Sequence, residues 1–130
     1  MTKIMVIDDN PEFLSLMEAW LKSEHFEACL CQDSRVAVDR ARAEMPSLII
    51  LDLLMPNKSD IEVLADLKTS SSTRQIPVVV LTAASKQAEE TELLVKRLAE
   101  ERVSKPFDFD WLFSKIHYYL GDSNNVSRLG

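Results

Sequence analysis

Short apolar runs alternate with longer amphipathic stretches along the chain, and the alternation repeats five times. Strand-length runs interleaved with helical patterns predict an α/β domain built on a parallel sheet. The first run, Ile4 to Ile7, is followed by Asn10 and Pro11, which suit an N-cap and a first helical position, and then by Phe13, Met17, Trp20 and Leu21 at helical spacing. Phe26 to Cys31 predicts a second strand, and Val36 to Met45 a second helix closed by Pro46. Leu48 to Leu51 is apolar on both faces, as a central strand of a parallel sheet should be, and it ends at Asp52. Ser59 and Glu62 fit a capping box that opens a third helix with Ile61, Leu64 and Leu67 turned inward. Ile76 to Leu81 predicts a fourth strand that runs into Thr82, with Pro77 near its start where a missing N–H is tolerated. Ser85 to Leu98 is a charged fourth helix, and Arg102 to Ser104 a brief fifth strand before Lys105 and Pro106. Asp108 caps a last helix carrying Leu112, Phe113, Ile116 and Leu120 on one face, with Gly121 placed to end it. Residues 1–121 are therefore expected to form the domain and 122–130 a polar tail or linker.

Composition narrows what such a domain can do. At 130 residues there is room for one compact unit, and 46% hydrophobic with 28% charged is ordinary for a core that needs no disulfide or metal to hold it. Fifteen Lys and Arg against 21 Asp and Glu leave a formal charge of -6, so the chain lacks the basic footprint that attracts nucleic acid or anionic lipid. No apolar run approaches the roughly 18 residues of a membrane span, and the start is too short for a secretory signal, so a cytoplasmic location is expected. Cys29 and Cys31, two apart in a strand pattern, share a face with diverging Cβ directions and read as reduced thiols. His25 and His117 read as surface or helix-end residues and Trp20 as core, whereas Trp111, Tyr118 and Tyr119 on the last helix form a candidate aromatic patch for a partner. Glycine is the outlier: average usage near 7% would give about nine, and the chain has two, Gly121 and Gly130. Neither a P-loop nor a GxGxxG turn can be drawn, because both need glycines beside a helix start. Phosphate chemistry here must run on side chains.

Such side chains gather where the predicted strands end: Asp8 and Asp9 after the first, Asp52 after the third, Thr82 after the fourth and Lys105 after the fifth. Open parallel sheets bind their ligands outside the carboxyl ends of the strands. Taken singly, Asp8, Asp9 and Thr82 are what strand ends and helix caps commonly carry; five such residues on one rim mark a site. Clustered carboxylates repel one another unless a cation sits among them, and hard oxygen ligands at this density suit Mg²⁺. A lysine there supplies a point charge for a phosphoryl oxygen, a threonine hydroxyl a donor, and a carboxylate an acceptor in a metal-assisted displacement. The set predicts an aspartyl phosphate.

Over about residues 2 to 120 the chain resembles a receiver domain of the two-component response regulators. The matching motifs are Val6-Ile7-Asp8-Asp9-Asn10, Leu51-Asp52-Leu53-Leu54-Met55-Pro56, Leu81-Thr82-Ala83 and Ser104-Lys105-Pro106-Phe107. Their order and separations together carry the likeness. The resemblance implies a flavodoxin-like, doubly wound sheet of five parallel strands in the order 2-1-3-4-5 with five helices, and Cys29 and Cys31 on an edge strand. It implies that Asp52 accepts a phosphoryl group from a sensor histidine kinase or histidine phosphotransfer protein. Asp9 would bind Mg²⁺ directly, Asp8 largely through water, and Asp52 and the Leu54 carbonyl would complete the protein ligands. Lys105 would pair with the phosphoryl group and Asp52, the Lys105-Pro106 bond would be cis, and Thr82 would turn inward onto a phosphoryl oxygen. The expected outcome is a regulatory switch rather than an enzyme, a monomer or phosphorylation-dependent dimer. Its downstream protein would meet the face of the fourth and fifth helices.

The chain departs from that pattern at several places. Asp60 stands where similar domains usually have a glycine, Leu98-Ala99 where they have Gly-Ala, and the interval from Thr82 to Lys105 is one residue longer, so the loop before the fifth strand is expected to be rebuilt. Three residues before Lys105 stands Arg102 in place of the usual aromatic, which predicts a charge-based switch: Arg102 exchanging partners among Glu100, Glu101 and the fourth helix as Thr82 moves. Leu54 and Ala84, two residues after Asp52 and Thr82, are apolar and cannot orient an attacking water, which predicts slow autodephosphorylation. Two alternatives stand beside the switch. One is a pseudo-receiver that binds partners without phosphorylation; the other is a haloacid-dehalogenase-type phosphatase, disfavoured because Asp52-Leu53-Leu54 has no second acid and 130 residues leave little room for a cap.

Overall fold

The computed structural model describes residues 1–53, 58–82, 89–104 and 107–121. The chain runs β1 (Lys3–Ile7), α1 (Pro11–Ser23), β2 (Glu27–Cys31), a 3₁₀ turn (Ser34–Val36), α2 (Ala37–Glu44), β3 (Leu48–Leu53), α3 (Lys58–Thr69), β4 (Val78–Thr82), α4 (Glu89–Leu98), β5 (Glu101–Ser104) and α5 (Phe109–Leu120). All strand pairs are parallel, in the order β2-β1-β3-β4-β5. This is the doubly wound order expected from the resemblance, with Cys29 and Cys31 on the edge strand β2, both buried and unbridged.

Alternation along the strands sorts side chains to two cores, one on each face of the sheet. Ile4, Val6, Leu48, Ile50, Val79, Leu81 and Val103 meet the inner faces of α1 and α5, while Met5, Ile7, Ile49, Leu51, Leu53, Val78 and Val80 meet α2, α3 and α4. Helix α1 sends in Leu14, Met17 and Leu21, and α5 sends in Leu112, Phe113 and Ile116. Each such side chain, fully buried, contributes roughly 1.5–3 kcal/mol before the entropy of ordering it is charged against it. The sheet is therefore clamped between two apolar layers, and its strand ends are held at fixed separations.

Local chemistry places the ends of the elements. The Asn10 carboxamide oxygen accepts from the N–H groups of Glu12 (2.9 Å) and Phe13 (3.3 Å), and Asp108 accepts from that of Asp110 (2.9 Å), so these two predicted N-caps act as such, whereas Ser59, the third, lies inside α3, which already runs from Lys58. Gly121 ends α5 in the left-handed region at φ 72°. With so few glycines, two other chain reversals fall on side-chain-bearing residues: His25 after α1 (φ 68°) and Met45 after α2 (φ 46°). Each carries a steric cost of about 1–2 kcal/mol that glycine would avoid.

Several boundaries differ from the sequence reading for physical reasons. Val36 closes the 3₁₀ turn that Asp33 caps, so α2 starts one residue later, at Ala37. The fourth strand starts at Val78 rather than Ile76, because Pro77 has no N–H to place in the ladder, although its carbonyl accepts from Ile49 N–H at 2.9 Å. The third strand does not stop at Asp52 but continues to Leu53, so Asp52 is held inside the ladder. The expected start of the fourth helix at Ser85 and the tail 122–130 lie outside the described residues.

Candidate functional site

Parallel pairing sets the site. Ile7 lies across from Leu51, so the next residues on the two neighbouring strands, Asp8 and Asp52, emerge side by side. Asp52 in turn lies across from Leu81, and Leu53 across from Thr82. Backbone hydrogen bonds fix Asp8 further: its N–H donates to the Cys31 carbonyl (3.0 Å), and the Asn10 N–H donates to its Oδ1 (3.1 Å). Asn10 thus joins the start of α1 to the acid beside it. All three side chains are withdrawn from water, with Asp8 4%, Asp52 5% and Thr82 0% exposed. Asp9 is exposed, and its carbonyl accepts from Gln32 Nε2 at 3.4 Å.

Two buried carboxyl groups in contact cannot both be comfortable as anions. Burial, and next to it the Asp52 carboxyl, push the Asp8 carboxyl up to about 8 against the opposing pull of the Asn10 N–H. Asp8 Oδ2 and Thr82 Oγ1 are buried with no hydrogen-bond partner among the described residues. Buried polar atoms are nearly always paired, so an acceptor and a hydroxyl left over at one strand-end rim are open to something that arrives there. A cation fits the acceptors and an oxyanion fits the hydroxyl. Among the described residues no three His, Cys, Asp or Glu side chains make a metal-holding group by themselves, so the acids supply a closely set pair with Asp9 at its rim. Asp8 and Asp52 stand side by side at the ends of β1 and β3, and Thr82 ends β4 across from Leu53; Lys105, the Leu54 carbonyl, Ala84 and the Lys105-Pro106 bond lie outside the described residues.

Arg102 sits on β5 across from Val80, and its Nη1 meets Glu92 Oε2 of α4 at 2.7 Å. Of the partners expected for it, the fourth helix is the one engaged. Glu101 points to the opposite face, where it pairs with Lys115 (3.4 Å) and accepts from the Tyr119 hydroxyl (3.0 Å). Glu100 is taken up by Lys68 and by the Val78 N–H, which donates to its Oε2 at 3.0 Å. Sequence reasoning missed this use of Glu100: a carboxylate that caps the start of β4 and draws Lys68 of α3 to it. In the loop without Gly-Ala, Ala99 N–H continues the helix to Val95 and Glu100 N–H reaches the Val78 carbonyl at 3.0 Å. Of the aromatic residues on α5, Trp111 and Tyr118 are exposed, with Lys115 Nζ over both rings at 5.1 and 5.9 Å, whereas Tyr119 turns its hydroxyl to the Glu100 carbonyl at 2.7 Å.

A five-stranded parallel sheet in the order 2-1-3-4-5, with acids at the carboxyl ends of β1 and β3 and a threonine at that of β4, defines a CheY-like receiver domain. The chain belongs to the response regulator receiver domain family, which it matches over residues 4–117. It is 32% identical to the polar-differentiation response regulator DivK of Brucella ovis over 95% of this chain and 100% of DivK. It is also 32% identical to the response regulator PleD of Caulobacter vibrioides over 88% of this chain, but spans only 25% of PleD. The receiver domain of sensor histidine kinase PA1611 from Pseudomonas aeruginosa, whose structure has a magnesium ion coordinated in its active-site cleft, superposes with a TM-score of 0.80 at 23% identity, covering 93% of this chain and 98% of that one. Among the described residues no helix is long and apolar enough to cross a membrane.

Proposed function

We propose that the chain is a phosphoacceptor switch in which Asp52 takes a phosphoryl group from a phosphohistidine on a sensor kinase or phosphotransfer protein. The observation that carries this reading is the buried Asp8–Asp52 pair at the strand ends, with Asp8 Oδ2 and, at the end of β4, Thr82 Oγ1 finding no hydrogen-bond partner among the described residues. Asp8, Asp9 and Asp52, with the Leu54 carbonyl, would hold Mg²⁺, which neutralises the carboxylates and the incoming phosphoryl oxygens. An Asp52 oxygen forms the new bond to phosphorus as the bond from phosphorus to the donor imidazole breaks, and the imidazole leaves neutral after taking up a proton. Thr82 donates its unsatisfied hydroxyl to a phosphoryl oxygen, and Lys105 offsets the charge that Asp52 acquires. The switch then acts through α4, β5 and α5, where Arg102 stands in place of an aromatic side chain. Leu54 and Ala84 leave the hydrolytic water unoriented, so the aspartyl phosphate is long-lived.

The test is to incubate the protein with Mg²⁺ and a small phosphoramidate or acyl phosphate and read the intact mass. The expected result is a gain of one phosphoryl group, absent in Asp52→Asn and absent when Mg²⁺ is chelated. No gain in the parent would instead favour a module that binds its partner unphosphorylated.

A further inference from the structure

Helices α2, α3 and α4 cover one face of the sheet, with α3 in contact with both of the others. Between α2 and α3 runs a groove of about 520 Å³. Its apolar lining is Val38 and Val63, which pack into the core beneath, and its walls are charged. Both arginines on the α2 side are engaged: Arg35 pairs with Asp33 at 2.9 Å, and Arg42 reaches Asp39 at 3.1 Å and the Ser70 hydroxyl at 3.2 Å. On the α3 side Glu62 and Asp66, four residues apart and both exposed, meet no cation among the described residues. The groove therefore sets two uncompensated negative charges beside an apolar strip. The outward stripe of α4 is its complement. Val95 takes the inner face of that helix, so Leu93 and Arg97, four residues apart, share the outer one. Leu93 is 62% exposed, and Arg97 is exposed with no acid paired to it among the described residues.

We infer that these two surfaces meet in a reciprocal dimer, α4 of each copy lying in the α2–α3 groove of the other. A two-fold axis parallel to the helices produces this arrangement. It carries α4 across α3 onto the groove and keeps every residue at its own height along the sheet. Helices α3 and α4 each follow a parallel strand and so run in the same direction, and Asp66 and Arg97 both stand in the last turn. The axis thus sets Arg97 against Asp66 and Leu93 against Val38 and Val63. Such a contact is isologous and closes at two copies. It uses no aromatic side chain of α5, and it does not depend on Asp52 accepting phosphate. A formal charge of -6 on each copy opposes the approach, so the dimer is weak and forms at high concentration.

The test is sedimentation velocity of the metal-free, unphosphorylated chain from about 10 μM to about 1 mM. The parent should pass from monomer to dimer over that range. Arg97→Glu and Asp66→Lys each set like charges against one another at both contacts and should weaken association by about tenfold or more. An equimolar mixture of the two variants should recover the dimer, because one contact then pairs Arg97 with Asp66 as in the parent and the other pairs two introduced charges of opposite sign. Trp111→Ala, on the outer face of α5, should associate as the parent does. A parent that stays monomeric at every concentration would overturn the inference and leave the groove to a basic segment of a different protein. Single variants that associate like the parent, a mixture that stays monomeric, or species that grow beyond two copies would overturn it as well.

Discussion

Helix α4 is built to a different standard from α1 and α5. On one side α1 and α5 each bury three large or medium apolar side chains into a layer that includes Ile4, Val6, Leu48 and Ile50. On the other, the described side chains of α4 bury Val95, pack Leu98 partly against the core and show Leu93 and Leu94 to solvent, and Glu92 pairs with Arg102 of β5. Rigid burial on the first side fixes the positions of Asp8 and Asp52, which must meet within hydrogen-bonding distances for chemistry. Sparser burial of the described α4 side chains makes that helix the more loosely held of the two regions. The switch proposed above needs both: a site that does not shift and an output element that does.

The comparison breaks most plainly under core truncation. Leu21→Ala, at a fully buried position of α1, should cost about 2–5 kcal/mol in urea unfolding, whereas Leu93→Ala on the outer face of α4 should stay within about 0.5 kcal/mol. Similar losses at the two positions would mean that α4 packs as tightly as α1. Next comes the rigid site itself. Asp8→Asn removes one of two abutting buried acids and should stabilise the metal-free protein by about 1–3 kcal/mol at pH 8. The sign follows from linkage. Unfolded, Asp8 loses its proton near its ordinary value of 3.8; folded, it keeps it up to about 8. Between these values the folded state binds more protons, so the parent loses stability as pH rises through the window and Asp8→Asn lacks that loss. Equal unfolding curves for parent and variant at pH 8 would remove the strain assigned to the pair. Mg²⁺ should then raise the melting temperature of the parent and leave that of Asp8→Asn nearly unchanged, because only the parent keeps the full acidic set. The smallest effect lies away from both regions. Met45→Gly relieves a left-handed residue that is 56% exposed and should add about 0.5–1 kcal/mol; a loss would mean that its side chain packs more usefully than its exposure suggests.

Much of this was legible before any coordinates. Asn10-Pro11 and Asp108 announced helix starts through side-chain oxygens that act within three residues, and local chemistry of that kind survives translation from sequence to structure. Asp8, Asp52 and Thr82 could be picked out because each follows an apolar strand, and parallel strands bring such ends to one rim. What was illegible depended on distant parts of the chain. Nothing near Glu100 in sequence shows that its carboxylate caps β4 and attracts Lys68, thirty-two residues away. The left-handed turns at His25 and Met45 were equally hidden, since neither residue advertises that conformation as glycine would.

The sequence by itself determined the order of strands and helices, the two-faced burial of the sheet and the short list of acids and hydroxyls at its carboxyl ends, because alternation, capping and apolar runs act over a few residues. Tertiary structure alone decided how these groups stand to one another: that Asp8 and Asp52 abut and raise a proton affinity, that Thr82 is buried with no hydrogen-bond partner among the described residues, and that Arg102 reaches Glu92 rather than Glu100 or Glu101. Those facts depend on which strand lies beside which and on the face each side chain takes, and both are set when two apolar layers close on the sheet.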